Sequence, residues 1–141
     1  MATVTTRQLT IQIPEEAYAW LEQEARDAGQ PIEVFAGLLV EEARRVEQFS
    51  GIFFRRGGGD GRRAVIIGGM DVWEMIMLYQ AHGREGMLEA FDSIQEFEID
   101  QALAYYEAHP EDIDERLWEN SQPMEYWLEK YPELRAQVRE I

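Results

Sequence analysis

The chain has 141 residues, of which 45% are hydrophobic, and its formal net charge is -15 at pH 7. This length and composition suit one ordinary domain or two very small ones, and they argue against disorder throughout the chain. Because the sequence holds no cysteine, disulfides, thiolate metal sites and cysteine nucleophiles are excluded. The N-terminus has no apolar core of signal-peptide length and no apolar run is long enough to span a bilayer. We therefore expect a cytoplasmic protein without membrane contact.

The first predicted element is a β-strand over residues 7–13, RQLTIQI. Its apolar and polar side chains alternate, as in a strand with one buried face. The apolar face consists of Leu9, Ile11 and Ile13, and the opposite face consists of Gln8, Thr10 and Gln12. A single strand leaves both of its edges unpaired. We therefore expect a homodimer in which the two copies of residues 7–13 pair with each other.

Two helices are predicted after this strand. Pro14 suits a helix start, acidic residues follow it, and Gly29 suits a helix end, so a helix is expected over residues 15–29. A second helix is expected from about Pro31 to Gln48, because its apolar residues recur on one face. These helices and the strand give about forty residues, which is too few for an independent core.

The order of strand, helix and helix resembles the ribbon-helix-helix family of dimeric regulators, of the CopG, Arc and MetJ type. The resemblance rests on QLTIQI, on Pro14-Glu15-Glu16 and on the apolar second helix, and it covers about residues 7–48. It implies that the paired ribbon enters the major groove of operator DNA, where Gln8, Thr10 and Gln12 read base edges. The family also binds phosphate at the start of the second helix, where Glu33 of this chain would repel it. DNA contact and dimerisation alone both stay open.

A second module is predicted to begin near Gly51. Two apolar or β-branched runs flank the glycine-rich sequence GGGDG. We therefore expect a hairpin that joins Ile52–Arg56 to Arg63–Ile67. Helices are predicted next over residues 71–83, 84–91 and 93–109, then from Pro110, and in two further amphipathic pieces. The expected N-caps of the first and third of these helices are Asp71 and Ser93, each with a glutamate three residues on.

Two stretches of this module resemble a bacterial domain family described in places as VapB-type antitoxin. They are GRRAVIIGGMDVWEMI (61–76) and ALAYYEAHPEDIDERLWEN (102–120). The resemblance implies a helix-turn-helix-like fold of three helices behind a small hairpin. It also implies pairing with a PIN-domain ribonuclease toxin. A helix-turn-helix reads DNA with the start of its last helix, but here that start carries Glu96, Glu98 and Asp100. Such carboxylates favour a protein partner over DNA.

Charge is distributed unevenly along the chain. Residues 71–141 carry eighteen acidic and five basic side chains, which repel a phosphate backbone and suit a basic protein surface. The one basic stretch, residues 51–70, holds four arginines: Arg55, Arg56, Arg62 and Arg63. Two interpretations of them stay open. They neutralise the protein's own acidic helices, or they contact phosphate or an acidic partner.

The C-terminal segment and the scarce histidines complete the candidate sites. An amphipathic series in residues 121–141 either packs on the rest of the protein or docks in a partner's groove; its candidate partner-binding residues are Trp127, Tyr131, Leu134 and Val138.

His109 is interpreted as a local helix cap. Asp112 and Asp114 fall on different helical faces, and no HExxH, P-loop or EF-hand spacing occurs. We expect no catalytic residue, no metal, no cofactor and no enzymatic activity.

The sequence thus predicts a mainly α protein in three parts. Residues 1–50 form the dimeric ribbon-helix-helix segment, residues 51–120 the hairpin and helix-turn-helix-like domain, and residues 121–141 a helical tail. The predicted function is that of a type II antitoxin, which neutralises a PIN-domain ribonuclease and represses its own operon. The alternative is a DNA-binding transcription regulator, or a protein-binding adaptor, without a toxin partner.

Overall fold

A computed structural model of the chain describes residues 5–57 and 61–135. Within these ranges the protein is mainly helical, with six helices and one two-stranded antiparallel sheet. The predicted mainly α class is confirmed at this level. The chain divides into an N-terminal unit, Met1–Arg44, and a C-terminal unit, Arg45–Ile141. In the described residues, each helix is too short or too polar to cross a lipid bilayer.

The N-terminal unit contains helix α1 (Glu15–Asp27) and most of helix α2 (Ile32–Gln48). Pro14 precedes α1, and Glu15 and Glu16 occupy its first turn, where acidic side chains interact favourably with the helix dipole. Gly29 ends α1 with a φ of 67°, a left-handed conformation that favours glycine. The N–H of Gln30 donates to the carbonyl of Ala25, and the N–H of Gly29 to that of Arg26. These are the two bonds of a Schellman motif.

The strand predicted over residues 7–13 is absent from the single chain, in which residues 5–14 form neither helix nor strand. The side chains of Leu9 and Ile11 are 79% and 62% exposed. A strand needs a neighbouring strand to bond its backbone N–H and C=O groups, and residues 5–57 and 61–135 of one chain bring none to this segment. Pairing with a second copy stays a prediction.

The C-terminal unit begins with a hairpin of strands β1 (Ile52–Gly57) and β2 (Gly61–Ile66). The predicted hairpin is confirmed, although β2 begins at Gly61 and ends at Ile66 where Arg63–Ile67 was expected, and Ile52 lies opposite Ile66. Residues 58–60 lie outside the described residues. Four helices follow the hairpin: α3 (Val72–Ala90), α4 (Glu96–Ala108), α5 (Pro110–Asn120) and α6 (Met124–Lys130). Helix α3 packs against α4, α5 and β2, and α4 also packs against α5 and both strands.

One hydrophobic core holds these elements together. It includes Ile52 and Ile66 from the hairpin, Met75 from α3, and Ile99 and Tyr105 from α4, each no more than 1% exposed. The spacing of Ile99, Ala102, Leu103 and Tyr106 predicts that these four residues of α4 face the core. Ile99 and Ala102 are buried, whereas Leu103 and Tyr106 are only partly buried. Tyr105 is buried instead, because α4 packs between the hairpin, α3 and α5 and so buries more than one face.

Three local predictions concern helix ends. The separate helices expected over residues 71–83 and 84–91 form α3, which is broken at Gly83, where φ is 71° and ψ is 173°. Asp71 precedes α3 but its side chain makes no capping hydrogen bond. Helix α4 starts at Glu96, not near Ser93, and the N–H of Gln95 donates to Oε1 of Glu98 at 3.1 Å. The capping box predicted at Ser93 is therefore wrong by two residues.

Candidate interaction surfaces

The N-terminal unit exposes both faces of the predicted strand. The polar residues Gln8, Thr10 and Gln12 are exposed, and so are the apolar residues between them. The helices of this unit add further exposed apolar side chains: Tyr18, Trp20, Val34, Leu38 and Val40. We call these five, together with Leu9, Ile11 and Ile13, the N-terminal apolar set. Extensive exposed apolar surface marks protein–protein contact.

The hairpin register creates an electrostatic problem in the C-terminal unit. It places Arg55 opposite Arg63 and Arg56 opposite Arg62. Like charges that lie directly opposite each other on two strands are destabilising. A carboxylate near either pair would reduce this repulsion.

Asp71 supplies a carboxylate for one of these pairs. It is 2% exposed, its Oδ1 lies 3.3 Å from Nη2 of Arg55, and its Oδ2 lies 3.3 Å from Nε of Arg63. The indole N–H of Trp73 also donates to Oδ2, at 3.1 Å. We call these four residues the Asp71 cluster. The buried carboxylate thus counters two arginines and orients one tryptophan, and it does not cap α3.

The Asp71 cluster agrees with the interpretation in which the arginines neutralise carboxylates of the protein itself. Arg56 and Arg62, on the other face of the hairpin, also interact within the chain. A contact between the four arginines and phosphate or an acidic partner stays a prediction.

A second polar network in the C-terminal unit joins Arg45, at its first position, to Tyr105 of α4 and Asp112 of α5. Nη1 of Arg45 donates to Oδ2 of Asp112 at 2.6 Å and to the hydroxyl of Tyr105 at 3.0 Å. The Tyr105 hydroxyl donates in turn to Oδ2 of Asp112 at 3.3 Å. Burial raises the pKa of Tyr105 to about 12, although the neighbouring Arg45 acts in the opposite direction. This hydroxyl therefore remains protonated at neutral pH and holds the network together as a donor and acceptor.

The residues weighed as catalytic or metal-binding have structural contacts. Asp114 accepts a hydrogen bond from the hydroxyl of Tyr106, and this bond raises the pKa of Tyr106. In residues 5–57 and 61–135, no group of three or more histidine or acidic side chains is arranged to hold a metal ion. His109 joins α4 to α5 without a side-chain capping bond, so its predicted capping role is wrong. Its ring packs 5.0 Å from the ring of Tyr105.

The C-terminal segment contacts α5 as far as it is described. The rings of Trp118 and Tyr126 meet edge to face at 5.5 Å, and Nζ of Lys130 donates to Oε1 of Glu119 at 3.1 Å. This bond raises the pKa of Lys130. Trp127 and Tyr131 stack 6.3 Å apart, and Leu134 is partly buried. Val138 lies outside the described residues. Docking of this segment on a partner stays a prediction.

The sequence interpretation missed Asp71 and Trp73 as members of a charged cluster. A partial signal was present, because the predicted hairpin brings arginines of both strands together and Asp71 follows β2 after only a short turn. The register that places Arg55 opposite Arg63 was not predicted. The acidic residue was interpreted as a cap because its spacing to Glu74 suited one.

No protein-family model, curated protein or solved structure matches this chain. The two family resemblances noted in the sequence stay predictions, and the function is argued from the surfaces described above.

Proposed function

We propose that the protein is a homodimeric type II antitoxin. Its N-terminal unit pairs two copies, and its acidic C-terminal unit binds and neutralises a PIN-domain ribonuclease. The observation that supports the dimer is the exposure of the N-terminal apolar set, in which the side chain of Leu9 is 79% exposed and that of Ile11 is 62% exposed.

Strand pairing between two copies would bury exposed apolar side chains and would also give unpaired backbone groups hydrogen-bond partners. Full burial of a leucine or isoleucine side chain contributes roughly 1.5–3 kcal/mol, and each copy brings Leu9, Ile11 and Ile13. Pairing also gives the backbone N–H and C=O groups of residues 7–13 partners in a ladder. The same segment therefore gains both apolar burial and backbone hydrogen bonds only when a second copy is present.

The acidic surface of the C-terminal unit supports a basic partner. Exposed carboxylates occur along α4 and α5: Glu96, Asp100, Glu107, Glu111, Asp112, Asp114 and Glu115. A ribonuclease must attract the RNA backbone with basic side chains. Carboxylates that face those side chains compete with RNA for them and block access to the active site. Neutralisation is thus steric and electrostatic.

Light scattering tests the dimer. The wild-type chain should have twice the 16.4 kDa mass of one copy. Ile11→Asp places a charge on the face that pairs and should give a single copy, whereas Thr10→Asp, one residue along on the outward face, should leave the dimer intact. A wild-type protein with the mass of one chain would refute strand pairing.

Co-expression with a PIN-domain ribonuclease encoded beside the gene tests the antitoxin. The two proteins should purify together, and the complex should leave RNA uncut. Glu107→Lys with Glu111→Lys should weaken the complex, whereas Glu22→Lys, an exposed change in the N-terminal unit, should not. Full ribonuclease activity in an excess of the dimer would overturn the proposal.

A DNA-binding regulator is the second candidate, favoured by the exposure of Gln8, Thr10 and Gln12. The side-chain amide of glutamine can bond adenine twice, because its oxygen accepts a hydrogen bond and its nitrogen donates one. Gln8→Ala with Thr10→Ala should abolish a gel shift on the upstream DNA while the dimer mass stays the same. If the wild-type protein gives no shift at low salt, the segment serves dimerisation alone.

A further inference from the structure

One side of helix α5 combines an exposed tryptophan with a row of carboxylates. Trp118 is 55% exposed, and the positions three, four and seven residues before it lie on the same side of a helix. Those positions hold Glu115, Asp114 and Glu111, and all three are exposed. Asp114 also accepts a hydrogen bond from the hydroxyl of Tyr106, a neutral donor that leaves the charge of the carboxylate in place. We call Glu111, Asp114, Glu115 and Trp118 the α5 face.

Contacts within the chain hold Trp118 and the end of α5 in place. The ring of Trp118 meets the ring of Tyr126 edge to face, with centroids 5.5 Å apart. Its carbonyl oxygen accepts hydrogen bonds from Oγ of Ser121 at 2.7 Å and from Nε2 of Gln122 at 2.9 Å. A side chain that is already ordered loses little conformational entropy when a partner binds. Tryptophan is also among the residue types that contribute most to affinity at protein interfaces.

The surface of α5 and α6 stays acidic when their ion pairs are counted. The two helices carry seven carboxylates and two basic side chains, Arg116 and Lys130. Lys130 pairs with Glu119 at 3.1 Å, and Arg116 also interacts within the chain. One further basic group reaches α5, because Arg45 pairs with Asp112 at 2.6 Å. The carboxylates therefore outnumber the basic groups, and three of them belong to the α5 face.

This combination favours a basic protein over other occupants. The carboxylates of the α5 face repel a phosphate backbone and an anionic membrane surface, and a second copy of this chain would bring the same carboxylates. A guanidinium packs well against an indole ring, and it pairs with a carboxylate through two parallel hydrogen bonds. Arginine therefore suits both the aromatic and the acidic part of the α5 face.

We infer that the α5 face docks a basic protein, with an arginine of that protein packed against Trp118 and its other basic side chains paired with Glu111, Asp114 and Glu115. The inference rests on the proposed function, in which the basic protein is the ribonuclease. It adds the place at which the two proteins meet and the chemistry of the side chain that enters it. Trp118 is then the residue of this face whose loss lowers the affinity most.

Alanine substitution tests Trp118 in the complex with the ribonuclease encoded beside the gene. Trp118→Ala should raise the Kd, measured by isothermal titration calorimetry, at least roughly 30-fold, the scale of an interface hot spot. Phe53→Ala is the matched control, since Phe53 is an aromatic side chain of the same unit and is 42% exposed, and it should change the Kd less than roughly threefold. Equal losses in the two variants would overturn the inference. So would a changed mass of the protein alone in Trp118→Ala, which would assign the face to a second copy.

Charge reversal tests the carboxylates of the α5 face. Glu115→Lys should raise the Kd roughly tenfold, and less at high salt, which screens the added repulsion. Glu85→Lys makes the same change at an exposed site on α3 and should have little effect. If the two variants lose affinity equally, the acidic charge of the whole unit attracts the ribonuclease and the α5 face does not.

A tetra-arginine peptide tests the face on the full-length protein without any ribonuclease. The indole N–H resonance of Trp118 in a ¹H–¹⁵N NMR spectrum should shift and saturate, while that of Trp20, in the N-terminal unit, stays unchanged. Tetralysine should bind at least roughly threefold more weakly. If the wild type binds no ribonuclease but the peptide shifts Trp118, the proposed function fails and the α5 face stands. A Trp118 resonance that stays unchanged up to about 10 mM peptide overturns the inference even if the ribonuclease binds.

Discussion

The two units of the chain differ in how they bury their apolar side chains. In the N-terminal unit, the buried apolar residues among those described are Ala25 and Phe35, while eight large ones are exposed. In the C-terminal unit, the hairpin and three helices enclose a core with these residues at 0% exposure: Ile52, Val72, Met75, Met87, Ile99, Ala102 and Tyr105. One unit is thus stabilised by its own core, and the other leaves eight large apolar side chains exposed.

The two units also differ in which elements their ion pairs connect. Arg26 and Glu22, and Arg44 and Glu41, form pairs within one helix of the N-terminal unit. Such exposed local pairs contribute little to stability. In the C-terminal unit, Arg63 reaches Asp71 and Arg45 reaches Asp112, so ion pairs connect different elements. Ion pairs therefore connect separate elements of the second unit, whereas these two exposed pairs of the first unit each lie within one helix.

The largest expected effect compares two isoleucines, one in each unit. Ile99→Ala removes a side chain that is fully buried, and it should lower the free energy of unfolding of the C-terminal unit by about 2–5 kcal/mol. Ile11→Ala lies in the N-terminal unit, so it should weaken the proposed dimer but change the free energy of unfolding of the C-terminal unit by no more than about 0.5 kcal/mol. Urea unfolding followed by circular dichroism measures both. Equal losses of unfolding free energy in the two variants would contradict the idea that the C-terminal unit alone is stabilised by its own core.

A smaller effect is expected at the Asp71 cluster. Asp71→Asn removes the carboxylate between Arg55 and Arg63 and should cost about 1–3 kcal/mol, a range reduced from that of a fully buried ion pair because both arginines are partly exposed. Asp92→Asn, at an exposed site, is the control. Salt should restore part of the loss, since it screens the facing arginines. Equal unfolding free energies for the two variants would contradict the role assigned to Asp71.

The smallest effect at neutral pH is expected at the Tyr105 hydroxyl. Tyr105→Phe keeps the ring and removes two hydrogen bonds, so it should cost about 1 kcal/mol. Because the pKa of Tyr105 is raised to about 12 from its ordinary 10.0, the folded state favours the protonated hydroxyl. Its stabilising contribution is complete below pH 10 and is lost as the pH rises through 12.

Thermal unfolding of the wild type and of Tyr105→Phe across this pH range tests the assignment. The difference in Tm should shrink above pH 10 and then reverse, because the variant has no hydroxyl to titrate. Tyr18→Phe, at a half-exposed site in the N-terminal unit, is the control and should follow the wild type. A constant difference across the range would argue against the buried hydroxyl network.

Several elements could be predicted from the sequence because their causes are local. Gly29 ends α1, Pro110 starts α5, and Gly83 breaks α3, each through the backbone conformation that its residue type allows. The hairpin could be predicted from two apolar runs around a glycine-rich sequence, but its register could not. The capping boxes could not be predicted in this way. Asp71 and Ser93 each have a glutamate three residues on, but neither residue forms a capping box in the structure.

The sequence by itself determined where the helices and the hairpin lie and that the first unit has too few residues for a core of its own. Only the tertiary structure decided how Asp71, Arg63 and Tyr105 are used. Each acts through contacts that no short-range pattern encodes, such as the contact of Tyr105 with Arg45, 60 positions away. Helix propensity depends on neighbours along the chain, whereas a buried charge depends on neighbours that folding brings together.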